Sequence, residues 1–444
     1  MRRSFRVVCA AIVWFAAIAL VPGIARAQGN LSLDRDRMKD ILNVVSKEIE
    51  KSYFDPQLKG LDWKGLTAQA KERIDKAASV SDMLTAIFAL VDKLQDSHTV
   101  FLPPGRVARI KFGFNAKAYG DEIRVYEVKK NSAADVAGLQ PGDRITLVNG
   151  FRVERESWQK MMLYFRQLQP VARMDLQIVR GDQPPQKISV DAKVDQGQLV
   201  RDVTEIDTVY QLIREEQSDR GDDDKYHYSV RDDGVGYVEF REFPNNMEFL
   251  DNLVGKIRNS KATIVDLRGN PGGAINTLAS TLGHFETEAT ALMDMIGRKK
   301  TETVTVKPRQ PRLDGPMFIL VDSETASAGE IFARHFQKSG RAKVMGDQTS
   351  GRVLAAHLVS EHWGVDYAVF YGIEISFARV VFPGGEELEK RGVTPDIKCL
   401  PSGEQLHQKQ DVCRALAYSL ARKALGLPEE TEKKIAINSS QPDH

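Results

Sequence analysis

Cysteine is scarce in this chain of 444 residues, which holds only Cys9, Cys399 and Cys413. Cys9 falls in the N-terminal apolar run, and the other two form no Cys-His cluster of ligand spacing, so no zinc site or other metal centre is predicted. Cys399 and Cys413 are candidates for one disulfide in an oxidising compartment; the alternative is two reduced thiols of no structural importance. An excess of charge of either sign is also missing. With 62 Lys+Arg against 61 Asp+Glu the net charge is +1, so no long-range field favours nucleic acid or an anionic membrane surface. Apolar runs long enough to approach a bilayer span are confined to the extreme N-terminus. There Arg2, Arg3 and Arg6 precede a run from Val7 to Val21, and Ala25-Arg26-Ala27 has the small-x-small form of a signal-peptidase site. Pro22 and Gly23 interrupt the run short of the ~20 residues a span needs. Residues 1–27 therefore read as a signal peptide rather than an uncleaved anchor, which predicts an exported protein, periplasmic or secreted, beginning at Gln28 with no remaining membrane span.

What is present suits a soluble protein of several units, since roughly 150 residues per domain gives about three domains. Met38, Ile41, Leu42, Val45 and Ile49 recur at helical spacing, and a second periodic stretch runs from Trp63 to Leu94. Residues 28–105 are read as a helical cap, closed by Asp96-Ser97-His98-Thr99 and the turn Pro103-Pro104-Gly105. Residues 106–195 change to strand alternation, as in Ile123 to Val128, with turn clusters at Gly138 to Asp143 and Asn149-Gly150. A charged linker is assigned to 196–232, including Asp222-Asp223-Asp224. Residues 233–427 alternate strand and helix, with strands predicted at Val235 to Phe243, Ala262 to Leu267, Met317 to Val321, Ala342 to Met345 and Val365 to Phe377. That pattern predicts an α/β core with a mixed sheet, followed by a polar tail at 428–444.

Within the core, Phe318 to Val321 leads through small polar residues to Ser327 and then into a predicted helix, Ala328 to Ala333. A serine at such a turn has its hydroxyl beside free helix N-terminal amides, which can hold a developing oxyanion. By itself the same pattern is more often only a helix N-cap. Arg268-Gly269-Asn270-Pro271-Gly272-Gly273 follows another buried strand, and its glycines let backbone amides approach a substrate closely.

The order of these segments adds to their separate meanings. "AGLQPGDRITLVNG" resembles the most recurrent segment of PDZ domains, and "VDLRGNPGG", "TASAGEIFA", "GDQTSGR" and "LEKRGVTPD" follow in the order found in the tail-specific, or C-terminal processing, serine protease family. The resemblance implies a catalytic α/β core with an inserted PDZ domain and a helical cap, no cofactor, protein or peptide substrates, and Ser327 as nucleophile. It implies an oxyanion hole from the amides of Gly272, Gly273 and Ala328, and a peptide-carboxylate loop at Phe112, Gly113 and Phe114.

The chain departs from the commonest family pattern after the Thr-x-Gly turn. Arg352 stands where many members have a catalytic lysine, and a guanidinium cannot act as a neutral base. "DSHT" resembles the branch related to the tricorn protease core, whose Ser-His-Glu chemistry implies His98 as base and Glu389 as its orienting carboxylate. His335 and His357 remain rival bases, and Glu386 and Glu387 rival carboxylates. The alternative function is an inactive PDZ-containing peptide-binding or scaffold protein that kept the fold.

Overall fold

The computed structural model describes residues 31–104, 108–196, 227–363 and 369–428. The expected signal peptide, residues 197–226 of the expected linker and residues 429–444 lie outside the described residues. Among those described, no helix is long and apolar enough to cross a membrane.

The chain opens with α1 (Leu31–Ser52), which buries Met38, Ile41, Leu42, Val45 and Ile49 on one face, the residues whose spacing predicts it. The periodic stretch that follows is divided in two. α2 (Trp63–Lys76) starts where the Asp62 carboxylate accepts the Gly65 N–H, and α3 (Val80–Val91) starts where the Ser79 hydroxyl accepts the Asp82 N–H. Side-chain caps at both starts satisfy amides that a helix cannot pair internally. These helices do not form a separate core. Their apolar faces pack with Phe101 of β1 (Val100–Leu102) and with Tyr371, Ile373 and Ile375 of a long strand from far along the chain.

A two-stranded ribbon, β2 (Ala108–Lys111) against β9 (Lys193–Gln196), leads into and out of a second unit. That unit holds β3 (Phe114–Tyr119), β4 (Glu122–Val128), α4 (Ala133–Val136), β5 (Arg144–Val148), β6 (Phe151–Arg152), α5 (Trp158–Leu163), β7 (Arg173–Val179) and β8 (Gln186–Asp191), with strand order β3-β4-β5-β7-β8 and β6 on β5. β3 is an edge strand.

The third unit contains two sheets. The first is mixed, in the order β10-β11-β12-β15-β16-β19, from β10 (Tyr228–Val230), β11 (Val235–Glu239), β12 (Ala262–Asp266), β15 (Met317–Val321), β16 (Ala342–Gly346) and β19 (Ile397–Lys398). Only β10 runs antiparallel to its neighbour. Its strands show the period of two that sheet geometry requires. Val238, Val265, Ile319 and Val344 face α6 (Met247–Lys256), α7 (Ile275–Gly283) and α8 (Ala328–Lys338), whereas Tyr237, Ile264, Leu320 and Met345 face α10 (Val412–Ala424). A short helix, α9 (Gly403–His407), precedes α10, and Cys399 and Cys413 are bonded as a disulfide that pins the start of α10 beside β19. The second sheet is built from β13 (Thr290–Gly297), β14 (Thr301–Val306), β17 (Leu354–Trp363) and β18 (Val369–Val381), with β1 along its edge. The strand predicted at Val365 to Phe377 corresponds to β18, which continues to Val381 because it pairs along its length with β17, β13 and β1.

Candidate active site

Three parallel strands end at the same edge of the mixed sheet, and the loops leaving them converge: Leu267–Gly273 after β12, Asp322–Ser327 after β15 and Asp347–Arg352 after β16. Ligand sites in such sheets gather at these carboxyl ends. The Asp322 carboxylate joins two of the loops, since its Oδ1 accepts the amides of Gly269 (2.9 Å), Glu324 and Thr325 (both 3.0 Å). Thr325 donates its hydroxyl to the Leu267 carbonyl at 2.8 Å. The Ala326 amide reaches the Asn270 carbonyl, and the Ser350 amide reaches the Thr325 carbonyl.

Ser327 caps α8 with φ 49° and ψ −119°, a backbone region that L-residues rarely occupy. Such strain persists where the surroundings over-determine it. Here the Ser327 N–H donates to the Arg352 carbonyl at 2.8 Å and to Glu330 Oε2 at 3.1 Å. Glu330 is fully buried, and it also accepts the Thr349 hydroxyl and the amides of Gly351 (2.8 Å) and Arg352 (2.9 Å). Burial pushes its carboxyl up to about 7, against the pull of those four donors.

Gly272 lies directly against the serine. A β-carbon built on it would stand 2.6 Å from Ser327 Cβ, and its φ is +109°, so both space and backbone require glycine. The Gly272 N–H is occupied, donating to Asn270 Oδ1 at 2.7 Å. The amides of Ala328 and Gly273 have no acceptor among the described residues. Of the three amides predicted for an oxyanion hole, these two are open in this geometry and Gly272 contributes the close approach.

His98 is 7% exposed and sits in the loop between α3 and β1. Asp96 shapes that loop, its Oδ1 accepting the amides of His98 (3.0 Å) and Thr99 (2.6 Å) and the Ser376 hydroxyl (3.1 Å). His98 Nδ1 lies 2.8 Å from Ser97 Oγ, which donates to Glu389 Oε2 at 2.7 Å; the Ser97 amide reaches Glu389 Oε1 at 3.1 Å. Glu389 therefore reaches the imidazole through Ser97, not directly. Because the Ser97 proton goes to the carboxylate, its oxygen accepts from Nδ1–H, which assigns the ring's bare lone pair to Nε2. Burial, then the nearby Arg352 guanidinium, lowers His98 to about 3, with Asp96 opposing. Burial likewise raises Glu389 above the usual carboxylate range, against the Ser97 hydrogen bond.

Among the described residues, no hydrogen bond joins the Ser327 hydroxyl to the His98 ring. The two loops meet through Arg352, whose guanidinium donates from Nη2 (2.9 Å) and Nε (3.2 Å) to the Ser97 carbonyl. The rivals lie elsewhere. His335 bonds Glu286, His357 packs on Phe377, Glu386 pairs with Arg334 and Glu387 with Arg379.

In the second unit, Phe112 and Phe114 are buried in the core, 0% and 1% exposed. Their side chains fix the loop, so a peptide would meet backbone there. Gly113 (φ +83°) is required because a β-carbon would strike Ser132 at 2.2 Å. On edge strand β3 the carbonyls of Ala116 and Ala118 already accept from Trp158 Nε1 (2.9 Å) and Ser323 Oγ (2.7 Å). Ser97, Asn270, Asp322 and Glu330 were not singled out by sequence reasoning. Only Glu330 carried a signal, the Ser-x-x-Glu spacing of a capping box before an apolar helix.

Residues 234–399 match the model of peptidase family S41, and residues 102–168 match that of the PDZ domain. The chain is 24% identical over 349 residues to carboxyl-terminal-processing peptidase 1, chloroplastic, of Arabidopsis thaliana, covering 74% of this chain and 65% of that protein. It is 24% identical to a carboxyl-terminal-processing protease of Picosynechococcus, covering 81% and 82%, and 21% identical to carboxy-terminal processing protease CtpA of Bacillus subtilis, covering 90% and 77%. Among solved structures, mature CPAF complexed with lactacystin superposes with a TM-score of 0.63 at 13% identity, covering 89% of this chain and all of that one. The relatives are processing proteases, and the reading as an inactive peptide-binding protein gains no support from them.

Proposed function

This chain is a PDZ-containing serine-type peptidase of family S41, and on that premise we propose that it is exported and cleaves protein or peptide substrates through an acyl-enzyme on Ser327. His98 Nε2 takes the Ser327 proton as Oγ attacks the scissile carbonyl, while the Ala328 and Gly273 amides hold the oxyanion. His98 then returns the proton to the leaving amine, and water repeats the sequence to release the acyl group. Glu389, acting through Ser97, fixes the tautomer and stabilises the imidazolium. The observation that carries this reading is the strained Ser327 backbone at a helix start, pressed against Gly272. The PDZ unit presents a substrate segment by strand addition at β3, which exchanges the Trp158 and Ser323 contacts for peptide ones. Export rests on the N-terminal pattern and agrees with the disulfide.

A fluorophosphonate probe is expected to label the wild type and not Ser327→Ala; equal labelling of both would remove Ser327 from the mechanism. His98→Ala should lower kcat by about 10³-fold or more, as loss of a triad base does. In the wild type the neutral imidazole persists well below the ordinary range, because the folded value is depressed to about 3. The acid limb of kcat/KM should therefore appear only as pH falls toward that value. Intact mass of exported protein beginning at Gln28 checks the signal peptide.

A further inference from the structure

We propose that Arg352, at the position where a base is missing, is a positioning residue: a strut that sets the nucleophile loop at a fixed distance from the base loop. The inference rests on the assignment of Ser327 and His98 as nucleophile and base. Four hydrogen bonds to three partners carry it. The Arg352 carbonyl accepts the Ser327 N–H at 2.8 Å, one of two bonds that hold the serine in its strained backbone. The Arg352 N–H donates to Glu330 Oε2 at 2.9 Å, the oxygen that also receives the Ser327 N–H. The side chain then crosses to the other loop and donates twice to the carbonyl of Ser97, the residue directly before His98. Main chain on one side and guanidinium on the other make a single residue the bridge between groups that share no bond of their own. The next residue continues the arrangement, since the Val353 amide donates to Glu389 Oε2 at 2.9 Å.

The geometry explains why the guanidinium suits this place. Nε and Nη2 point the same way from a rigid plane and converge on one carbonyl oxygen, whereas an ammonium offers a flexible point contact. The charge has a second effect. His98 faces Asp96 from its own loop and Arg352 from the opposite one, with Glu389 behind Ser97; of these the guanidinium disfavours the imidazolium. Arg352 thus adds to burial, the larger cause, in keeping the base neutral while it sets its place.

Arg352→Ala is expected to lower kcat for a short peptide by about 10²-fold, the scale of a misplacement of about 1 Å, with KM changed less than about threefold. Its acid limb should move to higher pH, because the positive neighbour is gone. Added guanidinium ion should restore part of kcat. Arg352→Lys, which keeps the charge, should leave the acid limb in place yet recover kcat only in part. Wild-type kcat in Arg352→Ala would overturn the strut, and an acid limb that stays put in it would overturn the charge effect. If Arg352→Ala does not fold, full kcat in Arg352→Lys overturns it equally. Labelling that persists in Ser327→Ala would overturn the nucleophile assignment beneath it, so the two failures are distinguishable.

Discussion

At Ser327 the backbone stores energy that an ordinary helix cap would not. A residue held in a sparsely populated φ/ψ region costs about 1–3 kcal/mol, and glycine escapes that cost while alanine does not. Ser327→Gly should therefore be more stable than Ser327→Ala by about 1 kcal/mol, read from denaturant midpoints of the two inactive proteins. An alanine variant that is the more stable of the pair would mean the turn relaxes once the hydroxyl is gone. That a buried strand leads through a turn at Ser327 into a helix was legible in the sequence. The strain at Ser327 was not, because φ 49° is imposed by the Arg352 carbonyl, 25 positions away with no mark in the sequence, together with the Glu330 carboxylate, whose Ser-x-x-Glu spacing signals a cap but not a strained one. Ser97 was illegible for a different reason. A serine beside a histidine is ordinary, and only the arrival of Glu389 from 292 positions away makes it the link between them.

The start of α8 shows what one buried carboxylate does for an element. Glu330 accepts from Ser327, Thr349, Gly351 and Arg352, tying the helix to the turn after β16. Glu330→Gln replaces an acceptor by an NH₂ group facing donors, and a buried donor left unmade costs about 1–3 kcal/mol. Loss of that size by chemical denaturation, together with reduced kcat, is expected; an unchanged midpoint would show the carboxylate to be protonated and dispensable. Strand and helix alternation made the parallel sheet legible, since β11, β12, β15 and β16 each coincide with a strand predicted from the sequence. The second sheet was largely missed. Its pairing of β1 with β18 joins Val100 to Glu374, and local periodicity carries no information about contacts so distant. The break between α2 and α3 was hidden by apolar spacing that continues across the Ser79 cap.

On the scale of the whole molecule, the PDZ unit is bonded to the loops that make the site. Lys117 forms a buried ion pair with Asp322, Arg155 pairs with Asp347 at 2.9 Å, and Gly120 donates to the same Asp347 oxygen. Asp322 also holds the amides of Gly269 and Thr325, so the two units share a carboxylate. Removing one member of a buried pair costs about 3–5 kcal/mol when the other charge stays buried, and undocking is the cheaper response because it returns Asp322 to water. Lys117→Met should therefore raise amide hydrogen exchange in both 118–122 and 322–326 while the centres of the two sheets stay protected. Exchange that rises in one segment alone would show that the interface does not depend on this pair.

The link between Ser97 and Glu389 also sets a schedule. A polypeptide is made from its N-terminus, so the His98 loop exists early, Ser327 later, and the Glu389 carboxylate that Ser97 bonds only after most of the chain has been synthesised. A nascent or broken chain ending before Glu389 holds Ser327, Arg352 and His98 but lacks the acceptor of the Ser97 hydroxyl. On the proposed assignment, the order of synthesis thus acts as a timer, because the carboxylate that would fix the imidazole tautomer is the last of the group to be made.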